Sequence, residues 1–230
     1  MIPKIILPIK SIKVPSLDRE VCFSPFTVAA EKAVLTLDKE ASPYERLTLI
    51  KNIVSNCCND KSINFDKMNV YELPYLFLHL RKISVSGAIT FSKKCEKCGK
   101  EIIYDINIDD IKYDADKQKI KKFKVNTDSG VYIVEVAFPN VEDFNGINTD
   151  NEESNIVFAS RHIYRMYDEA GNNEVEFNKD DKLELFNSLP VSTAQEIVKY
   201  AQNIPQPYYN VNDVCSCGEK QEFTVTDFFI

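Results

Sequence analysis

The chain contains no tryptophan, only two histidines and only six glycines among its 230 residues. It has no Gly-rich phosphate loop, no Gly-x-Ser-x-Gly elbow and no His-Glu-x-x-His motif, and His79 and His162 are far apart in sequence. No apolar run approaches the roughly 20 residues that span a bilayer, and the proline-containing start lacks a signal-peptide cleavage site. We therefore expect a non-enzymatic protein with no small-molecule substrate and no membrane segment.

Positive charge is also scarce. The chain has 28 Lys and Arg against 35 Asp and Glu, which gives a formal net charge of −7. Binding to nucleic acid draws on clustered Lys and Arg. The densest basic run, residues 117–124, lies among aspartates, so we interpret it as a solvated segment of mixed charge. The composition argues against a general nucleic-acid binder.

Seven cysteines, an odd number, in a chain without a signal peptide favour a reducing compartment, with thiols that are free or bound to metal. Four of them form two pairs that are far apart: Cys95 with Cys98, and Cys215 with Cys217. A glycine follows each pair directly, and an alternating apolar strand comes next. Both halves therefore have the pattern of a knuckle at the tip of a hairpin.

Two such knuckles supply the four thiolates that tetrahedral zinc binds at about 2.3 Å. We predict a split zinc ribbon with the metal ligands Cys95, Cys98, Cys215 and Cys217. Four protein ligands leave no position for water, so the zinc would be structural. One alternative is a redox dithiol, which requires a cysteine at a helix N-terminus, whereas here a glycine and a strand follow. Another is a ribbon that has lost its metal and keeps its shape by packing alone.

Four segments emerge along the chain. Prolines at positions 3, 8 and 15 predict an extended N-terminal arm over residues 1–24, lying on a sheet edge or reaching a neighbour. Residues 25–88 are a helical segment. Residues 89–139 plus 208–230 form a β module with the split zinc ribbon, and residues 140–207 are a helical insertion. The fold class is α+β, with helical segments packed around a small antiparallel β module.

Local signals support individual elements. Ser42 to Glu45 is a capping box with proline at the first helical position, which predicts a helix start. Asp128 to Gly130 predicts a hairpin turn. Residues from Ile156 to Met166 show helical spacing, and Ser192 to Gln195 is a second capping box that predicts another helix start.

Four stretches carry a resemblance to a known family. Ser24 to Lys32 is similar to the "Pro-Phe-Thr-Val, then Glu-Lys" opening of baseplate hub proteins from T-even-type contractile-tailed bacteriophages. Leu78 to Gly87 is similar to the "Leu-x-x-Arg, Ser, Gly" segment of that family. The late cysteine pair and the ending Phe228-Phe229 also resemble the family. The resemblance implies a hub subunit or hub assembly protein that contacts other baseplate or tail proteins. Its location would be the virion tail baseplate, or the infected host cytoplasm during assembly.

A zinc-ribbon protein that binds nucleic acid or takes part in transcription is the alternative function. Several lysines surround the first cysteine pair: Lys93, Lys94, Lys97 and Lys100. Near the second pair, Glu219, Lys220 and Glu222 almost cancel. This alternative would also need exposed aromatic side chains for base stacking.

Overall fold

The computed structural model describes residues 6–38, 40–114, 119–145, 147, 152–226 and 228, without the side chains of 152 and 153. These residues form six α-helices and eleven β-strands, and every pair of strands is antiparallel. The strands belong to small sheets of two, three, two and four strands. A mixture of helices with antiparallel sheets confirms the α+β class.

The N-terminal strands fold back on each other. Strand β1 (Lys10–Val14) pairs with strand β2 (Arg19–Phe23) as a hairpin. Alternation along both strands buries four apolar side chains in the first hydrophobic core: Ile12, Val14, Val21 and Phe23. Instead of an extended arm, residues 10–23 are thus part of the folded body. Pro15, taken in the sequence as a helix breaker within an arm, lies in the turn between the strands, where its fixed φ is favourable. Residues 1–5 lie outside the described part.

Three helices follow and complete the first core. They are α1 (Val28–Leu35), α2 (Pro43–Cys57) and α3 (Glu72–Ser84). The predicted capping box of α2 is confirmed: the Ser42 hydroxyl accepts a hydrogen bond from the Glu45 N–H, and the Glu45 carboxylate accepts from the Ser42 N–H. Helix α3 buries one side against α2 and another against the β module, because it is apolar almost all round.

Two hairpins carry the cysteine pairs at their tips. The first joins β3 (Ala88–Lys94) to β4 (Glu101–Asn107). The second joins β10 (Pro207–Val214) to β11 (Lys220–Val225), and the short strand β5 (Lys112–Tyr113) extends it beside β10. A small third core lies beneath both hairpins and contains Leu78 of α3, Ile89, Ile106, Ile108 and Phe228. Phe229, which was part of the family resemblance, lies outside the described residues.

The remaining strands form a separate four-stranded sheet. Its order is β6 (Lys121–Thr127), β7 (Gly130–Val136), β8 (Ile163–Asp168) and β9 (Glu174–Val175). The predicted hairpin around Gly130 is present, with a glycine φ of 129°. However, β7 pairs with β8, which comes from the stretch expected to be a helical insertion. The strands of the expected β module are therefore divided among three sheets.

The structure corrects the helix expected from Ile156 to Met166. Helix α4 (Glu152–Ser160) ends before strand β8 begins. A shift in the pairing of β7 with β8 opposes Val136 to Ile163 and Glu135 to Arg165, which leaves an extra residue in β8. Because of this bulge, Ile163 and Met166 are both buried although they are three residues apart. A bulged strand has thus produced the spacing of a helix.

Helices α5 (Lys179–Ser188) and α6 (Val191–Gln202) belong to the second core with this sheet. The capping box expected at Ser192 is wrong, because the N-cap of α6 is Pro190, two residues before Ser192. A capping box that the sequence reading missed opens α5, where the Asn178 side chain accepts hydrogen bonds from the N–H groups of Asp180 and Asp181.

Candidate metal centre

The first cysteine pair lies in the tight turn between β3 and β4. The Cys95 carbonyl accepts a hydrogen bond from the Gly99 N–H at 2.9 Å, and the Cys95 N–H donates to the Lys100 carbonyl at 2.9 Å. Gly99 has a φ of 72°, a left-handed conformation that a residue with a Cβ rarely adopts. The glycine after the pair is therefore required by the turn.

The second pair occupies the equivalent turn between β10 and β11. The Cys215 carbonyl accepts from the Gly218 N–H at 2.8 Å, and the Cys215 N–H donates to the Glu219 carbonyl at 2.8 Å. Gly218 has a φ of 84°. The spacing of one residue between these two cysteines thus still forms a knuckle with the hydrogen bonds of the first.

The two knuckles bring all four predicted cysteines together. Their sulfur atoms lie within 4.8 Å of one another. Cys95 Sγ is 3.8 Å from Cys217 Sγ, and Cys98 Sγ is 3.7 Å from Cys215 Sγ. A tetrahedron with metal–sulfur bonds of about 2.3 Å has sulfur–sulfur edges of roughly 3.8 Å. Disulfide bonds, by contrast, are about 2.05 Å long. The cysteines are free thiols in an arrangement that fits a tetrahedral metal.

Burial divides the four thiols into two kinds. Cys95 and Cys215, the first cysteine of each pair, are only 1% and 5% exposed, whereas Cys98 and Cys217 are exposed. Each short sulfur–sulfur contact joins a buried cysteine of one knuckle to an exposed cysteine of the other.

Two side chains beside the sulfurs were not foreseen from the sequence. Gln221 on β11 is 6% exposed, and its amide N–H donates to Cys95 Sγ at 3.6 Å. Tyr104 on β4 is buried, and its hydroxyl has no hydrogen-bond partner among the described residues. The signal for Gln221 was its place in the strand: it is a polar residue at an inward position of an alternating segment.

The thiols influence each other's ionisation. The backbone N–H of Cys217, helped by the neighbouring thiols, lowers the pKa of Cys215 to about 6. The backbone N–H of Glu219 favours the Cys217 thiolate, but burial and the neighbouring sulfurs outweigh it and raise the pKa of Cys217 to about 11. The cluster itself thus favours one thiolate and opposes several, because like charges repel at this distance. A divalent cation would remove that repulsion.

Lysines around the first knuckle make contacts within the chain. Lys100 Nζ donates to the Ser216 hydroxyl at 3.0 Å, and Lys97 Nζ is 3.4 Å from a carboxylate oxygen of Glu219. Lys93 Nζ lies 4.0 Å from the centre of the Phe223 ring. These contacts link the two hairpins across the knuckles. They involve lysines and an aromatic ring in contacts within the chain, whereas binding nucleic acid would require such groups on an open surface.

The other cysteines and both histidines lie away from this cluster. Cys57 and Cys58 are buried in the first core, and Cys22 is exposed on β2. His79 packs on Tyr75, with ring centres 4.5 Å apart. His162 is fully buried, and its Nδ1 lies 2.9 Å from the Phe158 carbonyl oxygen. Burial lowers the pKa of His162 to about 4, so it is a neutral core residue.

Fold and site together define a class: an α+β protein in which two distant hairpins meet at a closed cluster of four cysteines. Comparison with protein families then places the chain. A family described as T4 bacteriophage base plate protein matches residues 7–229, and the chain belongs to this family. The family indicates a structural component of a phage baseplate, so other phage tail proteins are its partners.

Neither the curated proteins nor the solved structures include a match to the chain. Within the described residues, none of the helices combines the length and the apolar character that crossing a membrane requires.

Proposed function

We propose that the chain is a non-enzymatic structural or assembly component of the baseplate hub, and that it acts through protein–protein contacts. Membership of the baseplate family supports the general role. The hub assignment rests on the resemblance of Ser24 to Lys32 and of Leu78 to Gly87 to hub proteins. The protein would be in the tail baseplate of the virion, or in the infected host cytoplasm while the hub is assembled.

We further propose that Cys95, Cys98, Cys215 and Cys217 hold one structural zinc ion. The single observation that carries this is the set of sulfur–sulfur distances, 3.7 and 3.8 Å for two pairs across the knuckles and within 4.8 Å for all four sulfurs, which suits zinc–thiolate bonds. Four soft thiolates in a tetrahedral arrangement favour zinc over harder cations. Bound zinc supplies a closed tetrathiolate centre. The Gln221 amide supports it by donating to one sulfur.

In this proposal the zinc centre joins the two ends of the long segment between the cysteine pairs. The first hairpin leads into residues 99–214, and the second hairpin returns the chain to the same point. The division into an N-terminal segment (1–24), a helical segment (25–88), a β module (89–139 plus 208–230) and an insertion (140–207) is part of the proposal. Its β6–β7 hairpin is assigned to the insertion's sheet, because β7 pairs with β8.

Two measurements test these proposals separately. Metal analysis of the purified protein should give one zinc per chain, and a chain without metal would refute the zinc centre. For the hub, the protein should co-purify with phage particles or with hub precursors that lack the finished tail. Its absence from both would contradict the hub assignment, whatever the metal analysis gives.

A further inference from the structure

Two close contacts among the four sulfurs run between the knuckles. Cys95 is 3.8 Å from Cys217, and Cys98 is 3.7 Å from Cys215. In each contact one thiol is exposed and can be reached by a small solute, while its partner is buried directly behind it. An exposed thiol with a second thiol in contact is the arrangement in which oxidation ends in a disulfide.

We propose that these contacts are oxidation sites, at which a peroxide forms the disulfides Cys95–Cys217 and Cys98–Cys215. The proposal goes beyond the structural zinc centre, because it requires only the four thiols. Where zinc is bound, formation of the disulfides removes its ligands and releases it. The two hairpins would then be linked by two disulfide bonds and no longer by a metal ion.

The reaction balances for each contact. The exposed thiol of Cys98 or Cys217 gives up its proton as its sulfur attacks one peroxide oxygen, the O–O bond breaks, and the departing hydroxide takes up that proton, so that a sulfenic acid and one water form. The buried thiol across the contact then attacks this sulfur, so that the S–S bond forms and the second oxygen leaves as water. Two thiols and one hydrogen peroxide thus give one disulfide and two waters, and the sulfurs supply the two electrons.

The pairing decides whether the clamp survives. A disulfide within one knuckle would close only a few residues and leave the two hairpins unconnected. A disulfide across the knuckles ties β3–β4 to β10–β11, as the metal would. It also joins sulfurs that are already in contact across the knuckles.

The disulfide map of the full-length wild-type protein gives the first test. Reduced protein, freed of reductant, is treated with two equivalents of hydrogen peroxide, alkylated, digested with trypsin and analysed by mass spectrometry without reduction. Trypsin cuts after Lys97, which separates Cys95 from Cys98, while Cys215 and Cys217 remain in the peptide 200–220. We expect both small peptides attached to peptide 200–220, and Cys22, Cys57 and Cys58 alkylated. A dominant Cys95–Cys98 bridge would overturn the proposal.

Double variants compare the rate of disulfide formation across the knuckles with the rate within one knuckle. C95S/C217S keeps one contact across the knuckles, and C215S/C217S keeps the pair within the first knuckle as a matched control. We expect disulfide formation at least about tenfold faster in C95S/C217S than in the control, because its thiols are already in contact. Equal rates, or a faster control, would contradict the proposed pairing.

Unfolding of wild-type protein gives a readout that needs no variant. We expect the urea midpoint of the oxidised protein to be unchanged by EDTA. If the midpoint of the oxidised protein falls to that of the reduced protein in EDTA, the disulfides do not replace the clamp and the proposal fails. The disulfide map is read independently of the zinc content, so failure here and failure of the zinc proposal are distinguishable.

Discussion

Replacing Cys98 by serine should remove the proposed metal clamp while changing little else, because Cys98 is the exposed cysteine of the first knuckle. Its sulfur contacts Cys215 at 3.7 Å, and a hydroxyl is a poor zinc ligand. The loss is therefore that of a cross-link, and its size follows from the chain that the cross-link closes.

Two loop lengths set the limits of the stability that Cys98→Ser is expected to lose. If the site alone held the ends of residues 99–214 together, a cross-link over about 100 residues would be worth about 4.7 kcal/mol. However, Pro207 and Tyr208 of β10 already pair with Tyr113 and Lys112 of β5. This contact shortens the loop toward the 15-residue case, for which the same relation gives about 3 kcal/mol. We expect a loss of about 3 to 5 kcal/mol.

The assay is urea unfolding followed by circular dichroism, with and without EDTA. Cys22→Ser is the matched control, since Cys22 is an exposed cysteine outside the cluster. It should change stability by less than about 0.5 kcal/mol. EDTA should lower the wild-type midpoint to that of Cys98→Ser and leave that of Cys98→Ser unchanged. The reasoning is refuted if Cys98→Ser and Cys22→Ser are equally stable and EDTA affects neither the variants nor the wild type.

Three further predictions concern the ribbon and the second core. Gln221→Leu should weaken zinc retention against a chelator by about 10-fold or more, because an outer-shell donor is lost, whereas the exposed Glu222→Gln should not; equal retention in both would assign Gln221 no part in the centre. The pKa of His162 is about 4 in the folded chain and 6.5 in the reference state, so the unfolded state binds more protons below pH 6.5. Stability should therefore fall by about 3 kcal/mol between pH 6.5 and 4, and His162→Phe should lose this pH dependence in denaturant titrations. Binding to single-stranded DNA at low salt should be undetectable by fluorescence anisotropy; tight, salt-sensitive binding would revive the nucleic-acid alternative.

The cluster of four cysteines was the most predictable part of the molecule. Each knuckle is a local structure, set by two cysteines and a following glycine that must adopt a positive φ. Only the meeting of the two knuckles required a long-range inference, and the scarcity of other ligands made it possible. Gln221 was not found because the alternation of a strand identifies an inward position but not what that position faces.

The sheet around β8 was less predictable, because spacing is an ambiguous signal where a strand is bulged. Ile163 and Met166 repeat at the interval of a helix, and nothing local marks the extra residue that the pairing with β7 introduces. The N-terminal hairpin was not predicted, for a related reason. Pro15 marks a turn only when the strand on its other side is known to return.

The distance between the cysteine pairs along the chain also has a consequence in time. A ribosome that adds about 5 to 20 residues per second needs roughly 6 to 23 seconds to pass from the first pair to the second. During this interval the nascent chain contains Cys95 and Cys98 but not yet Cys215 and Cys217. The helices and the four-stranded sheet between the pairs can fold before the second hairpin exists. The cluster of four cysteines is then among the last parts to form, after the intervening chain has been made.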